Sequence, residues 1–362
     1  MPQKVVSITP QIAELANQLM DDITSRGLSP GDRYLSTAEA SRLLGVSTAA
    51  ANRALQLLEH RRVISRQQRK GAFILDYSED NQAPPLHRVH FLTHPLYMRT
   101  EGMGNDHILL GMQRDLPGVH VQISFLPQGD ETTLVQQLIG QALAADSTDG
   151  FVLVRVSCET QRLVAGSGLP AVVFGAVYPG IDGLASLDRD MDSVGGLLAE
   201  WMLERGHRRI AYLNRQIVLP GDNTTMEAIA GVLAKAGCPV DSLLVRGLPS
   251  DSQASVADLK SLLTRPNPPT GFICRTHRIA ENTEAAIVRV GGDPNKFDIA
   301  VCDFFSGGKD ECRFAYPRPI EDDKQQGQHL ARLLSSQLDG KAGPAQHVVV
   351  PVKLQLPGDE AT

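Results

Sequence analysis

With 362 residues, 42% of them apolar and only 21% charged, the chain has material for two or three ordinary hydrophobic cores, which excludes a single small module. The formal charge of -6 is unevenly spread: residues 1–75 hold ten of the 35 Lys and Arg but only six of the 41 Asp and Glu, so a +4 segment precedes a -10 remainder. Five cysteines without metal-type spacing exclude a closed disulfide framework, and no run nears the ~18 apolar residues of a membrane span.

The opening residues lack the apolar core and cleavage site of an export signal, so the expectation is a cytoplasmic protein with reduced thiols and no membrane partner. The charge split points to a basic module that meets a polyanion, carried by an acidic body with another task.

In chain order, "IAELANQLMDDITSRG" places Ile12, Leu15, Ala16, Leu19 and Ile23 on one helical face, and Gly27 ends it. The turn "LSPGDRY" follows. "STAEASRLLG" opens on Ser36 or Thr37 as N-cap, with Glu39 in its first turn and Gly45 to stop it. The next helix starts two residues later, capped by Ser47. Two short helices separated by "GVS" form a helix-turn-helix, whose second helix enters a major groove by its N-terminal residues.

In that helix Val46, Ala50, Ala51, Ala54, Leu55 and Leu58 face the core at helical spacing. Thr48, Ala49, Asn52, Arg53 and Gln56 form the opposite stripe. Small residues let the backbone approach base edges, and Asn or Arg pairs with adenine or guanine. Beyond it, Val63-Ile64 and Ala72–Leu75 read as two strands around a basic turn holding Arg66, Arg69 and Lys70, which suits phosphate contact.

"DYSEDNQAPPLH", residues 76–87, reads as a linker. After it, the runs "VHFL", "VHVQISFL", "GFVLV", "PAVVF", "RIAYL", "SLLV", "GFIC" and "DIAVC" alternate with helical segments such as "TLVQQLIGQALAA" and "SVGGLLAEWMLERG". That rhythm predicts parallel, doubly wound α/β sheets, and the length predicts two lobes over 88–362. Ligands of such sheets bind at the carboxyl ends of the strands. Those ends carry His94, Arg155, Asn214, Arg215, Arg275 and His277, with Arg99 nearby. Guanidinium groups pair bidentately with carboxylate or phosphate, so an acid-bearing small ligand is expected, with a neutral sugar as the alternative.

"HRVHFLTH" spaces His87, His90 and His94, but no carboxylate or Cys completes a ligand set, and no metal or other cofactor is expected. "GHRRI" reads as a structural turn. No nucleophile elbow, Walker-type loop or paired-carboxylate motif is present, so catalysis is not expected.

Residues 9–75 resemble the winged helix-turn-helix domain of GntR-type transcription regulators, through "GLSPGDRYLST", "LLGVS", "NRALQLLEHRRVI" and "RKGAFI" in family order. The resemblance implies DNA contacts at Ser36, Ser47, Thr48, Asn52, Arg53 and Gly71, with Thr37 and Ala49 beside them. Leu35, Ala38 and Thr48 depart from the usual Pro, Arg and Arg.

Residues 88–362 resemble the effector domain of LacI/GalR-type regulators, which is periplasmic-binding-protein-like. The match rests on "LDRDMDSVGGLLAEWMLERGHRRIAYL", "LPAVVFG", "PTGFICRTHRIA", "DIAVCDFF" and "YPRPIEDDKQQGQHLARLL". That resemblance adds Asp303 and Asn223 to the effector candidates, Asn223 standing for a helix-borne Arg. The combination is similar to arabinose-repressor-like regulators. It implies a homodimeric repressor on a quasi-palindromic double-stranded operator. Two alternatives are an enzyme-like pyridoxal-phosphate body, for which the body is short and its lysines sit in no cofactor motif, and a stand-alone solute-binding protein.

Overall fold

The computed structural model describes residues 10–60, 63–67, 71–75, 86–94, 106–127, 129–145, 148–303, 313–338 and 345–358. The first elements are α1 (Pro10–Ser25), β1 (Arg33–Tyr34), α2 (Thr37–Leu44), α3 (Thr48–His60), β2 (Ile64–Gln67) and β3 (Gly71–Ile74). α1 buries Ile12, Leu15, Ala16, Leu19 and Ile23, the face its spacing predicts. α2 starts on a capping box: Ser36 Oγ accepts from the Glu39 N–H, and Glu39 accepts from the Ser36 N–H at 2.7 Å. Gly45 ends it in the left-handed conformation, φ 64°, where any side chain is strained.

α3 turns Ala51, Ala54, Leu55 and Leu58 into the core as expected, and Leu57 joins them. The three strands form an antiparallel sheet in the order β1-β3-β2. β1 lies inside the stretch read from sequence as a plain turn. Its Tyr34 explains why: the buried hydroxyl lies 3.0 Å from the Leu19 carbonyl, so two paired residues are fixed against α1.

The body continues with β4 (Leu86–Thr93), α4 (Asp106–Asp115), β5 (His120–Phe125), α5 (Glu131–Ala144), β6 (Thr148–Val154), α6 (Cys158–Ala165), β7 (Ala171–Phe174), β8 (Ala185–Arg189), α7 (Met191–Glu204), β9 (Ile210–Arg215), α8 (Pro220–Lys235), β10 (Leu243–Leu248), α9 (Ser252–Leu263), β11 (Gly271–Cys274), α10 (His277–Arg289), β12 (Asp298–Val301), β13 (Tyr316–Pro319), α11 (Asp323–Ser335), β14 (His347–Val350) and β15 (Val352–Gln355). The linker expected over 76–87 lies outside the described residues up to 85, and Leu86 and His87 already belong to β4.

The chain divides into two compact units. One holds residues 1–94, 112–186 and 328–346, the other residues 95–111, 187–327 and 347–362. In the first, β5, β4, β6 and β7 are parallel neighbours, and β6 is buried along its whole length. Continuous burial fits a strand covered on both faces.

The second unit has a parallel sheet in the order β10-β9-β11-β12. Alternate residues go to its two faces. Ala211, Leu213, Phe272, Cys274, Ile299 and Val301 pack with α9 and α10, while Ile210, Tyr212, Ile273, Ala300 and Cys302 pack with α7 and α8. At the amino ends of these strands, the His207 of "GHRRI" contacts Thr270 Oγ1 at 2.8 Å and Asp298 Oδ2 at 2.7 Å, which makes the motif a structural tie.

Candidate functional site

In the first 75 residues the stripe read from the sequence lies on α3. Thr48, Ala49 and Gln56 are exposed, while Asn52 and Arg53 are half-buried. Ser47 Oγ accepts the Ala50 N–H at 3.2 Å, and Ser36 caps α2 with Thr37 as its first residue, so both serines spend their side chains on helix starts. Arg66 lies on β2, where its guanidinium donates to Asn52 Oδ1 at 2.8 Å. Gly71 opens β3 at φ 108°, a conformation that glycine alone adopts without strain. Arg69 and Lys70 lie outside the described residues.

In the first body unit, His94 follows β4 and its Nε2 lies 2.8 Å from Glu131 Oε2. Glu131, the first residue of α5, also accepts from the Ser157 N–H at 2.9 Å and the Thr160 hydroxyl at 2.7 Å. Burial pushes its pKa up, but the hydrogen bonds from His94, Ser157 and Thr160 outweigh that and hold it down at about 2. Glu131 therefore stays an anion and fixes the loops after β4 and β6.

Arg155, just beyond β6, sits at φ 52°, in the left-handed region that costs an arginine about 1–3 kcal/mol. That strain is concentrated at a strand end, where ligands of such sheets are met. Arg99 lies outside the described residues. His90 and His94, which share a face of β4 in the extended reading, are engaged separately, His90 with Asp149 at 3.1 Å and His94 with Glu131.

The second unit gathers charge at its strand ends. Arg215 ends β9 and donates to both carboxylate oxygens of Asp222 at 3.0 and 3.1 Å. Arg275, immediately after β11 and only 5% exposed, meets Asp222 Oδ1 at 2.5 Å and pairs with Asp303. Arg189, the last residue of β8, donates to Asp303 Oδ1 and to the Cys302 carbonyl, both at 3.0 Å.

Burial pushes the Asp222 carboxyl up, yet Arg275 and Arg215 beside it hold it below the usual carboxylate range. Burial would likewise lower Arg275, but Asp303 and Asp222 keep it charged. Asn214 is buried, with Oδ1 accepting the Arg215 N–H at 2.7 Å. His277 opens α10, and burial lowers its pKa, which favours the neutral ring. Asn223 is exposed on α8, with its neighbour Asp222 turned into the cluster.

Of the guanidinium groups expected to meet an acidic ligand, those of Arg215 and Arg275 thus meet carboxylates of the chain itself. Arg189, Arg215 and Arg275 share the two carboxylates of Asp222 and Asp303. Sequence reasoning missed Asp222, Arg189 and Glu131. Only their placement at a strand end or helix start could have marked them.

Two parallel α/β units with polar and charged groups at the strand ends form the fold of LacI-family effector domains. No family model matches the chain and no curated protein matches it, but solved structures share this fold. A LacI-family transcriptional regulator from Mycobacterium smegmatis is 20% identical, with a TM-score of 0.60, covering 75% of this chain and 97% of its own. A complex of the transcriptional regulator CelR with cellobiose is 18% identical, TM-score 0.63, covering 97% and 98%. A LacI-family transcriptional regulator from Enterococcus faecium with bound ribose is 16% identical, TM-score 0.59, covering 75% and 97%.

Proposed function

We infer that the protein is a ligand-responsive, sequence-specific DNA-binding transcription regulator, a repressor without enzymatic activity. Residues 1–75 are its GntR-type winged helix-turn-helix head, 76–87 a linker and 88–362 a LacI-type effector and dimerisation body. The observation that carries this reading is the combination itself: a three-helix, three-stranded head on a body with the fold of sugar-bound regulators. The likeness to CelR extends over 97% of the chain, so it is not confined to the body. Two heads in a homodimer read two half-sites of a quasi-palindromic operator.

The effector is a small, hydroxyl-rich molecule of the sugar class. At the strand ends of the second unit, Asp222, Asp303, Asn214 and the arginines hold acceptors and donors in balance, which suits hydroxyl groups that do both. The engagement of Arg215 and Arg275 by carboxylates of the chain favours a neutral sugar over a sugar acid. Effector and operator are coupled because each shifts the population of states that the other binds. DNA selected by the full-length protein from a random pool, labelled and titrated at fixed salt with and without ribose, cellobiose and their acid counterparts, tests the reading. One neutral sugar is expected to change operator affinity by about fivefold or more. A response confined to the acids would overturn the neutral-effector reading, and indifference to every sugar would overturn the sugar class.

A further inference from the structure

The groove-facing reading of α3 leaves one contact without a role, the hydrogen bond from Arg66 to Asn52. Arg66 is anchored to make it. Its backbone N–H donates to Glu59 Oε1 at 2.9 Å, so the end of α3 carries β2 at the point where the guanidinium departs. Asn52, half-buried, lies one turn from Thr48 and one from Gln56, both exposed, at the margin of the face that buries Ala51, Ala54 and Leu55.

An isolated asparagine matches adenine: its N–H₂ donates to N7 and its carbonyl accepts from N6. In this chain the carbonyl is held by a cation, in a charge-assisted bond about twice as strong as a neutral one. The oxygen keeps a second lone pair, but an adenine N6–H reaching it would meet a guanidinium of like sign. What the pair has left to offer is donors: the N–H groups of Asn52 and the remaining N–H groups of Arg66. Guanine presents N7 and O6 in the major groove, both acceptors.

We propose that Arg66 is a specificity-determining residue that converts Asn52 from a reader of adenine into a reader of guanine. The helix supplies the side chain and the neighbouring strand decides which base it prefers. This inference rests on the DNA-binding reading of the head.

Full-length wild type, Asn52→Ala, Arg66→Ala and Arg66→Met are each used to select DNA from a random pool, and their folding is compared by thermal unfolding. Methionine keeps most of the apolar stem, in case the alanine variant fails to fold. Wild type is expected to select guanine at one base pair of each half-site, and that base pair alone is expected to become random in Asn52→Ala. In Arg66→Ala or Arg66→Met the same base pair is expected to turn to adenine, with about a tenfold change in the guanine-to-adenine ratio. Adenine in wild type, an unchanged base in both Arg66 variants, or no affected base pair in Asn52→Ala would each overturn the proposal. Failure of the wild type to enrich any sequence would instead overturn the DNA-binding reading beneath it.

Discussion

At the scale of single residues, buried charge decides most of what this body can do. Asp222 has a side chain with no exposed surface and serves two arginines at once. Replacing it by alanine takes the carboxylate that Arg215 and Arg275 share out of a poorly hydrated site, and the expected loss is about 3–5 kcal/mol in urea unfolding, together with loss of effector response. Glu131 makes a different prediction. Its folded pKa is depressed to about 2, so its contribution is complete above the ordinary glutamate value of 4.5 and fades as pH falls from there toward 2. Glu131→Gln should cost about 1–2 kcal/mol at neutral pH and flatten the acid limb of the stability profile; an unchanged acid limb would mean that its hydrogen bonds carry no net stability. Both carboxylates escaped a reading of the sequence that found Arg215 and Arg275 easily. An arginine after an apolar run announces its position, whereas Asp222 meets Arg275, and Glu131 meets Ser157, only when segments 53 and 26 residues away fold beside them.

At the scale of elements, local chemistry was the legible part. The Ser36–Glu39 box and the Gly45 stop depend on neighbours within a few residues, and eight apolar runs of the body coincide with β4, β5, β6, β7, β9, β10, β11 and β12. β8, β13 and β15 are not legible, because short strands such as "ASLDR" and "VKLQ" carry no apolar run of their own and exist through their pairing, whereas β14, "HVVV", is an apolar run that the reading passed over. Gly195, within "LDRDMDSVGGLLAEWMLERGHRRIAYL", is explained by packing. A Cβ there would stand 2.9 Å from Ala228 Cβ and strike the Thr225 carbonyl, so α7 and α8 approach too closely for any side chain. Gly195→Ala is expected to destabilise the second unit by about 1–3 kcal/mol, seen as a shifted urea midpoint with an unchanged slope. Gly196→Ala, one residue along with nothing within 4 Å, is the control and should be neutral or slightly stabilising.

At the scale of the whole molecule, charge is divided between tasks. Residues 1–75 carry +4 within a chain of net -6, so the body repels the polyanion that the head is proposed to bind. If Arg66 is committed to Asn52, phosphate neutralisation at the wing falls to Arg69 and Lys70, and the two kinds of basic residue must separate in experiment. On the selected operator, log affinity against log salt should be linear. Arg69→Ala and Lys70→Ala should each reduce the slope by about 0.9 per head, hence by about two in a dimer, and leave the chosen bases unaltered. Arg66→Met should change the base chosen with a smaller change in slope. Fluorescence anisotropy from about 50 to 200 mM salt measures all three. A slope indifferent to Arg69 and Lys70 would place the basic turn away from the backbone and move the phosphate contacts to the starts of α2 and α3 at Ser36 and Ser47.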